Sequence, residues 1–392
     1  MENLGVYIQV PFCQTKCTYC NFYTGVVSPQ RFAPYVDTVC REIRTFPQLL
    51  ESAGVTWPSH SWLCDTVLDT LYIGGGTPSL ISPKLLAAML IAVRESFSCA
   101  FEEITLEADP ETIEVEKACA WVAAGIDRIS FGTQSFVDEE LKAAGRMHRC
   151  ADIYKAVPNL REAGIRNISF DLIAGLPKQS HDSWRHSLSE AIALAPEHIS
   201  IYMMEIDEGS RLGREVLHGG SRYSARELPS EEAMAEFYEL AQAELCAAGY
   251  EQYEISNWAK PGFASKHNLK YWRREPYLGF GAGAHSFSGK QRWANLHDAT
   301  AYVAAIGSGK AAIENVETLT PAVALEEELF LGLRQLKGID LARIEGQYGV
   351  DLTDKVGRLA SNGMMEQAGH FVRLSPAKLS VSNEVLVELL RQ

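Results

Sequence analysis

Over its first 206 residues the chain alternates short apolar runs with amphipathic stretches, and this alternation restricts the fold more than any other feature. Strands are predicted at 5–10, 70–75, 103–109, 128–135, 166–177 and 198–206. Helical spacing fills the gaps at 31–46, 83–97, 113–125, 151–164 and 183–195, with Pro158 an irregularity in the fourth. Regular strand–helix repeats argue for a parallel sheet with helices as crossovers. Six such units fall short of the eight of a closed barrel. The expected fold is therefore α/β, an open, partial (β/α)6 barrel of TIM-like type.

After about residue 207 the pattern changes. The stretch 229–249 reads as one long helix, with Ser230 as N-cap and Gly249 as C-cap. A region rich in aromatics and glycine follows to residue 297. From 321 the chain reads as helices and then a short hairpin-like stretch, "HFVRLSPAKLSVSNE", suggesting a small, mostly helical, winged-helix-like C-terminal domain. The expected division is 1–228 for the barrel, 229–312 for an extension and 313–392 for the tail. No repeat of solenoid length is present.

The net charge of −14 offers no basic face to a polyanion, which weighs against a nucleic-acid partner. The N-terminus "MENLGVYIQVPF" lacks a basic segment followed by a long apolar run, and nowhere do eighteen apolar residues run together. The cytoplasm is the expected compartment. In a reducing compartment cysteines read as ligands or small buried hydrophobes rather than disulfides. Cys40, Cys64, Cys99, Cys119, Cys150 and Cys246 stand singly and are read as structural.

The other three cysteines do not stand singly. In "PFCQTKCTYCNFY" Cys13, Cys17 and Cys20 follow a C-x3-C-x2-C spacing, just past the first predicted strand. Soft thiolates suit zinc or an iron–sulfur cluster. Zinc would need a fourth ligand, and the next histidine, His60, is far along the chain. A [4Fe–4S] cube on three cysteines keeps one iron open for a small chelate with an amine and a carboxylate. The spacing, with aromatic Tyr19 before the last cysteine, closely resembles the signature of the radical SAM enzymes. That resemblance implies a [4Fe–4S] cluster on Cys13, Cys17 and Cys20, S-adenosylmethionine on its open iron, and an electron donor. Other informative residues sit at or near predicted strand ends, the rim where parallel α/β folds build sites. By the resemblance Tyr7, Tyr19, Gly75, Gly76 and Thr77 of "GGGTPS", Glu107, Gln134, Arg146 and Asp171 would contact S-adenosylmethionine.

The motifs "LYIGGGTPS", "ITLEADPE", "RISFGTQSF", "GRMH", "DLIAGLP" and "PEHISIY" occur in the order of the oxygen-independent coproporphyrinogen III oxidase group. The oxidases are expected to carry a further cysteine two residues after the third; here that position is Phe22. The chain thus resembles the HemW-type branch of haem chaperones. That branch carries an H-N-x-x-Y-W motif associated with haem binding, present here as His267, Asn268, Tyr271 and Trp272. A neutral imidazole suits haem iron, and flat aromatics suit a porphyrin. His285, in "YLGFGAGAHSF", is also shared with the family, its role open. Asn21 and Asp109 depart from the residues expected at their positions. The implied function is binding haem and passing it to acceptor haemoproteins, membrane respiratory enzymes among them. The rivals are coproporphyrinogen III decarboxylation and another radical SAM reaction on a tetrapyrrole, methyl transfer or haem degradation.

Overall fold

A computed structural model describes residues 2–55 and 66–390; His60 and Cys64 lie outside them. Six parallel strands come in chain order: β1 (Glu2–Val10), β2 (Thr66–Gly75), β3 (Cys99–Ala108), β4 (Arg128–Gln134), β5 (Asn167–Ala174) and β6 (His198–Met203). Between them run α1 (Phe32–Ser52), α2 (Pro83–Ser96), α3 (Val115–Ala124), α4 (Cys150–Glu162) and α5 (His181–Ala193). α1 continues past Pro47, beyond the expected end at 46, because Leu49 and Leu50 extend its buried stripe. α4 likewise passes through Pro158.

Parallel strands covered by helices on both faces tend to be apolar throughout. These strands alternate instead. Leu4, Val6, Ile8 and Val10 are buried, whereas Tyr7 and Gln9 between them are only half-buried. Register places Tyr7 beside Tyr72, Glu107 beside Ser130, and Asp171 beside Ser200. Side chains on one strand face repeat every second residue. One face of the curved sheet is thus a helix-covered apolar layer and the other a polar, aromatic interior.

The chain after residue 228 extends both edges of this sheet. α6 (Glu231–Ala247) starts on Ser230, whose hydroxyl accepts from the Ala233 amide, and ends near Gly249 at φ +83°. β7 (Glu251–Glu254) and β8 (Asn257–Ala259) add beyond β6: β8 pairs antiparallel with it, and β7 pairs antiparallel with β8 at the sheet's edge. After α7 (Lys266–Trp272), β9 (Tyr277–Phe280) pairs in parallel with β1. β10 (His285–Phe287), β11 (Gln291–Asn295) and β12 (Ile313–Thr318) continue outward, giving the twelve-stranded order β12-β11-β10-β9-β1-β2-β3-β4-β5-β6-β8-β7. The aromatic, glycine-rich region is therefore sheet.

A buried carboxylate fastens that extension to α1. Glu42 accepts from the Gly281 amide at 2.8 Å, the Tyr302 hydroxyl at 2.6 Å and the Asn295 amide at 2.6 Å. With no cation among these partners, burial pushes its carboxyl up to about 7.

The tail holds α8 (Pro321–Gly332), α9 (Leu341–Tyr348), α10 (Thr353–Ser361) and a small sheet of β13 (Ile339–Asp340), β15 (Phe371–Leu374) and β14 (Met365–Ala368). The hairpin lies earlier than the sequence suggested. It is β14 and β15 joined at Gly369, φ +63°, and tied by an Arg373–Glu366 pair at 2.7 Å. The expected second arm, from Pro376 onward, forms a short 3-10 turn and then α11 (Ser382–Leu390), which buries Val385, Leu386 and Leu389. Among the described residues, no helix is long and apolar enough to cross a membrane.

Candidate functional site

The cysteine loop leaves β1 and is pinned at several points. Its two-residue strand Phe12–Cys13 pairs with Gly25–Val26. The Gly76 amide donates to the Val10 carbonyl at 2.8 Å, and the Thr77 amide donates to Phe12 at 2.6 Å. A Cβ on Gly76 would stand 2.4 Å from the Phe12 carbonyl oxygen. The glycine run therefore lets the backbone of the cysteine loop pass close by. Farther along, Thr18 is held between the Ala144 carbonyl and the Leu212 amide.

Cys13, Cys17 and Cys20 are half-buried and line one cavity of about 470 Å³ at the C-terminal ends of the six strands. Burial pushes the Cys13 and Cys20 thiols above the ordinary range. Among the described residues no three Cys, His, Asp or Glu side chains are grouped as ligands of one metal ion. A cluster makes a different demand, since it binds each thiolate to a separate iron. An all-sulfur donor set of three, spread along one cavity wall, fits an iron–sulfur cluster better than a single zinc ion.

The same cavity gathers Tyr19, Gly75, Gly76, Thr77, Glu107, Gln134, Arg146 and Asp171. Asp109 organises part of this rim. It pairs with Arg146 and accepts from the Thr77 hydroxyl at 3.0 Å, while Arg146 also reaches the Gly132 carbonyl and lies 3.5 Å from the Cys17 sulfur. The residue read from sequence as a minor departure is thus the anchor of a cluster-side arginine. His148, buried beside it, accepts from Arg146 and donates to Thr133, and burial lowers it to about 4. Glu107 accepts from the Gly75 amide and the Tyr72 hydroxyl, both at 2.9 Å, yet burial still raises its carboxyl to about 7. Asp171 is raised to about 6 by the same cause, against hydrogen bonds from Ser200 and Ser130. Gln134 ends β4 at φ +65°, a conformation that costs a non-glycine residue about 1–3 kcal/mol.

Tyr7 lies elsewhere. It donates to Gln9 at 2.5 Å and lines a second cavity, of about 680 Å³, inside the curve of the sheet. His267, Asn268, Tyr271 and Trp272 form one wall of that cavity, and Leu379, Val381 and the start of α11 lie across it. Glu107, Tyr202, Met203 and Glu205 belong to both cavities.

The wall helix α7 is anchored by Glu103, which accepts from the amides of Lys266 and His267 at its N-terminus. Lys270 is buried between Asp69 at 2.9 Å and Glu275 at 3.1 Å. Arg334, from the tail, covers the Trp272 ring at 4.5 Å. His267 is 1% exposed, with Nδ1 3.0 Å from the Thr70 hydroxyl, Nε2 2.9 Å from the Tyr271 hydroxyl, and its face stacked on Tyr72. Burial lowers it to about 3, so it is neutral, but both ring nitrogens are engaged. His285 lines neither cavity; it is exposed on β10.

The sequence reading missed Asp109, Gln9, Tyr72, Tyr202 and Met203. Alternation could have found Tyr72 and Tyr202, which share the inward phase of Tyr7 and Glu107.

Two family models match the chain: Radical SAM superfamily over residues 62–191 and HemN C-terminal domain over 319–377. Heme chaperone HemW of Bacillus subtilis is 33% identical over 97% of this chain and 97% of its own. The chain belongs to the HemW family of haem chaperones. HemW of Escherichia coli is 36% identical over 72% of this chain and 69% of its own. The solved coproporphyrinogen III oxidase HemN of Escherichia coli, a radical SAM enzyme, superposes with a TM-score of 0.80 over 99% of this chain and 90% of that one. At 21% identity that likeness establishes the shared fold, a partial open barrel with a helical C-terminal region. Against the HemW background, the two adjoining cavities become the chief feature to explain.

Proposed function

We propose that this protein binds haem and delivers it to acceptor haemoproteins in the cytoplasm, membrane respiratory enzymes included. The observation that carries this reading is the pair of cavities with a common wall. One holds the three thiols; the other is faced by the H-N-x-x-Y-W helix. In this reading Cys13, Cys17 and Cys20 hold a [4Fe–4S] cluster with S-adenosylmethionine on its open iron. When bound and reduced by a donor, that pair supplies one-electron chemistry.

The chain's own residues hold and shield. Tyr19, Gly75, Gly76, Thr77, Glu107, Gln134, Arg146 and Asp171 orient the cofactor, with Tyr7 bordering it from the second cavity. Asp109 keeps Arg146 aimed at the thiols. Tyr271 and Trp272 offer flat surface to a porphyrin, and Asn268 a polar contact. His267 can serve iron once the Tyr271 hydroxyl releases its Nε2. We take 1–228, 229–312 and 313–392 as the working parts of the chain.

Anaerobic haem titration of the cluster-reconstituted protein, followed by Soret absorbance, tests the reading. Saturable binding that His267→Ala weakens while cluster absorbance persists is expected, whereas Cys17→Ala should abolish the cluster. Absent or unsaturable binding would sink the chaperone reading. The fold shared with HemN favours a second reading, anaerobic coproporphyrinogen III decarboxylation, and Phe22 weighs against it. Product analysis of an anaerobic incubation decides.

A further inference from the structure

The histidines of this chain differ sharply in what their ring nitrogens are doing. His148, His198 and His267 are buried with both nitrogens engaged, His198 by Ser169 at 2.7 Å and Tyr253 at 2.8 Å. His181 pairs with Glu236, His186 lies 3.9 Å from Glu190, and His218 bonds the Arg214 carbonyl. His370 lies on the turn of the tail hairpin.

His285 and His297 are different. Their ring centres lie 6.4 Å apart. Among the described residues the His285 imidazole has no hydrogen-bond partner, and Nδ1 of His297 is buried without one; the other His297 nitrogen is 3.6 Å from Glu314. Partial burial, with His297 and Arg292 nearby, holds His285 below the ordinary imidazole range, so it is neutral near pH 7. Tyr23 stacks on His297 with ring centres 4.2 Å apart.

Tyr23 comes three residues after Cys20. It is 69% exposed, and its neighbour Phe22, on the lip of the first cavity, is 66% exposed. These two adjacent rings, one of them stacked on His297, leave aromatic surface open beside the histidine pair. Exposed aromatic rings next to a histidine pair, of which His285 is engaged by no described group, match the two needs of a haem, a surface for the ring and an axial nitrogen for the iron.

We propose that His285 and His297 form a second, surface-accessible haem site, in which an imidazole of the pair ligates the iron and Phe22 and Tyr23 support the porphyrin. It deepens the haem reading, on which it rests, by giving haem a position an acceptor can reach, which the buried His267 does not. No electron or proton transfer is part of it; the iron gains one nitrogen ligand.

The test is hemin titration of the cluster-reconstituted full chain, with visible and EPR spectra, for wild type, His267→Ala and the double variant His285→Ala/His297→Ala. Circular dichroism and cluster absorbance check that each is folded. The double variant is expected to lose one nitrogen-ligated haem, its affinity falling on the order of tenfold or more. Added imidazole should restore that spectrum, a rescue that a merely structural histidine would not show. His267→Ala should keep this signature. A double variant that binds haem with wild-type affinity and spectrum overturns the second site alone. Failure of the wild type to bind haem removes the chaperone reading and this site with it.

Discussion

Glu42 ties α1 to the sheet extension through three donated hydrogen bonds and no cation, which makes its ionisation a measurable load on the fold. Its carboxyl is raised from 4.5 to about 7 when folded. The native state therefore binds a proton that the unfolded chain releases, and stability falls as pH rises through this window. Each unit is about 1.4 kcal/mol, so the cost is near zero below pH 4.5 and reaches about 3 kcal/mol above pH 7. Glu42→Gln removes the ionisation while keeping one oxygen for the Gly281 amide and Tyr302. It loses on the order of 1 kcal/mol of hydrogen bonding to Asn295 at any pH. Glu107 and Asp171 are raised too, so the variant must be compared with wild type at each pH. Urea unfolding from pH 4.5 to 8 should show the variant gaining on wild type by about 3 kcal/mol across the range. A stability difference that stays constant with pH would refute the reasoning.

Gly76→Ala should push the Phe12 carbonyl back by roughly 0.6 Å, costing about 1–3 kcal/mol and lowering iron content after reconstitution. Gly25→Ala, in the strand paired with Phe12–Cys13 and with open space around its Cβ, is the control, and equal iron in both would count against the close-approach argument. Asp109→Ala leaves Arg146 without its carboxylate in a largely buried place. A loss of about 2 kcal/mol and weaker S-adenosylmethionine binding are expected; denaturation and equilibrium dialysis that both match wild type would dismiss the anchor role. A cationic sulfonium beside Glu107 and Asp171 favours their ionised forms, so binding between about pH 5.5 and 7.5 should release protons and tighten as pH rises. Calorimetry in buffers of different ionisation enthalpy measures this, and zero proton release would reject it.

The barrel was legible because each strand and helix carries its own periodicity, and capping and turn residues mark many of their ends. The cluster loop was legible for a related reason, since thiolate spacing is local. Elements that depend on distant partners were harder. β9 joins β1 only after an intervening chain of some 270 residues, and its four residues have no period long enough to announce a strand. Gly76 meets a neighbour that spacing does not name, the Phe12 backbone, because a sequence does not say whose backbone comes near. The true hairpin carries its signal at Gly369, whereas Pro376 begins a helical turn that an alternating pattern had masked. His267 shows a further limit. Its motif context says nothing about Thr70 and Tyr271, which together occupy both ring nitrogens.

The charge around the second cavity bears on how a haem would sit there. Glu107, Glu205, Glu254 and Glu384 line it, and Arg334 already pairs with Glu254 at 3.3 Å. Two propionates placed among these carboxylates would gain no free cation among the described lining residues and would face like charge. The apolar edge of the ring would therefore lead inward, toward Tyr7, Tyr72 and Tyr271, with the propionates left at the opening. Haem dimethyl ester separates the two orientations. It should bind the inner cavity at least as well as haem itself if the propionates stay outside. Markedly weaker binding of the ester would mean that Arg334 leaves Glu254 to hold a propionate, and the ring would have to be turned around.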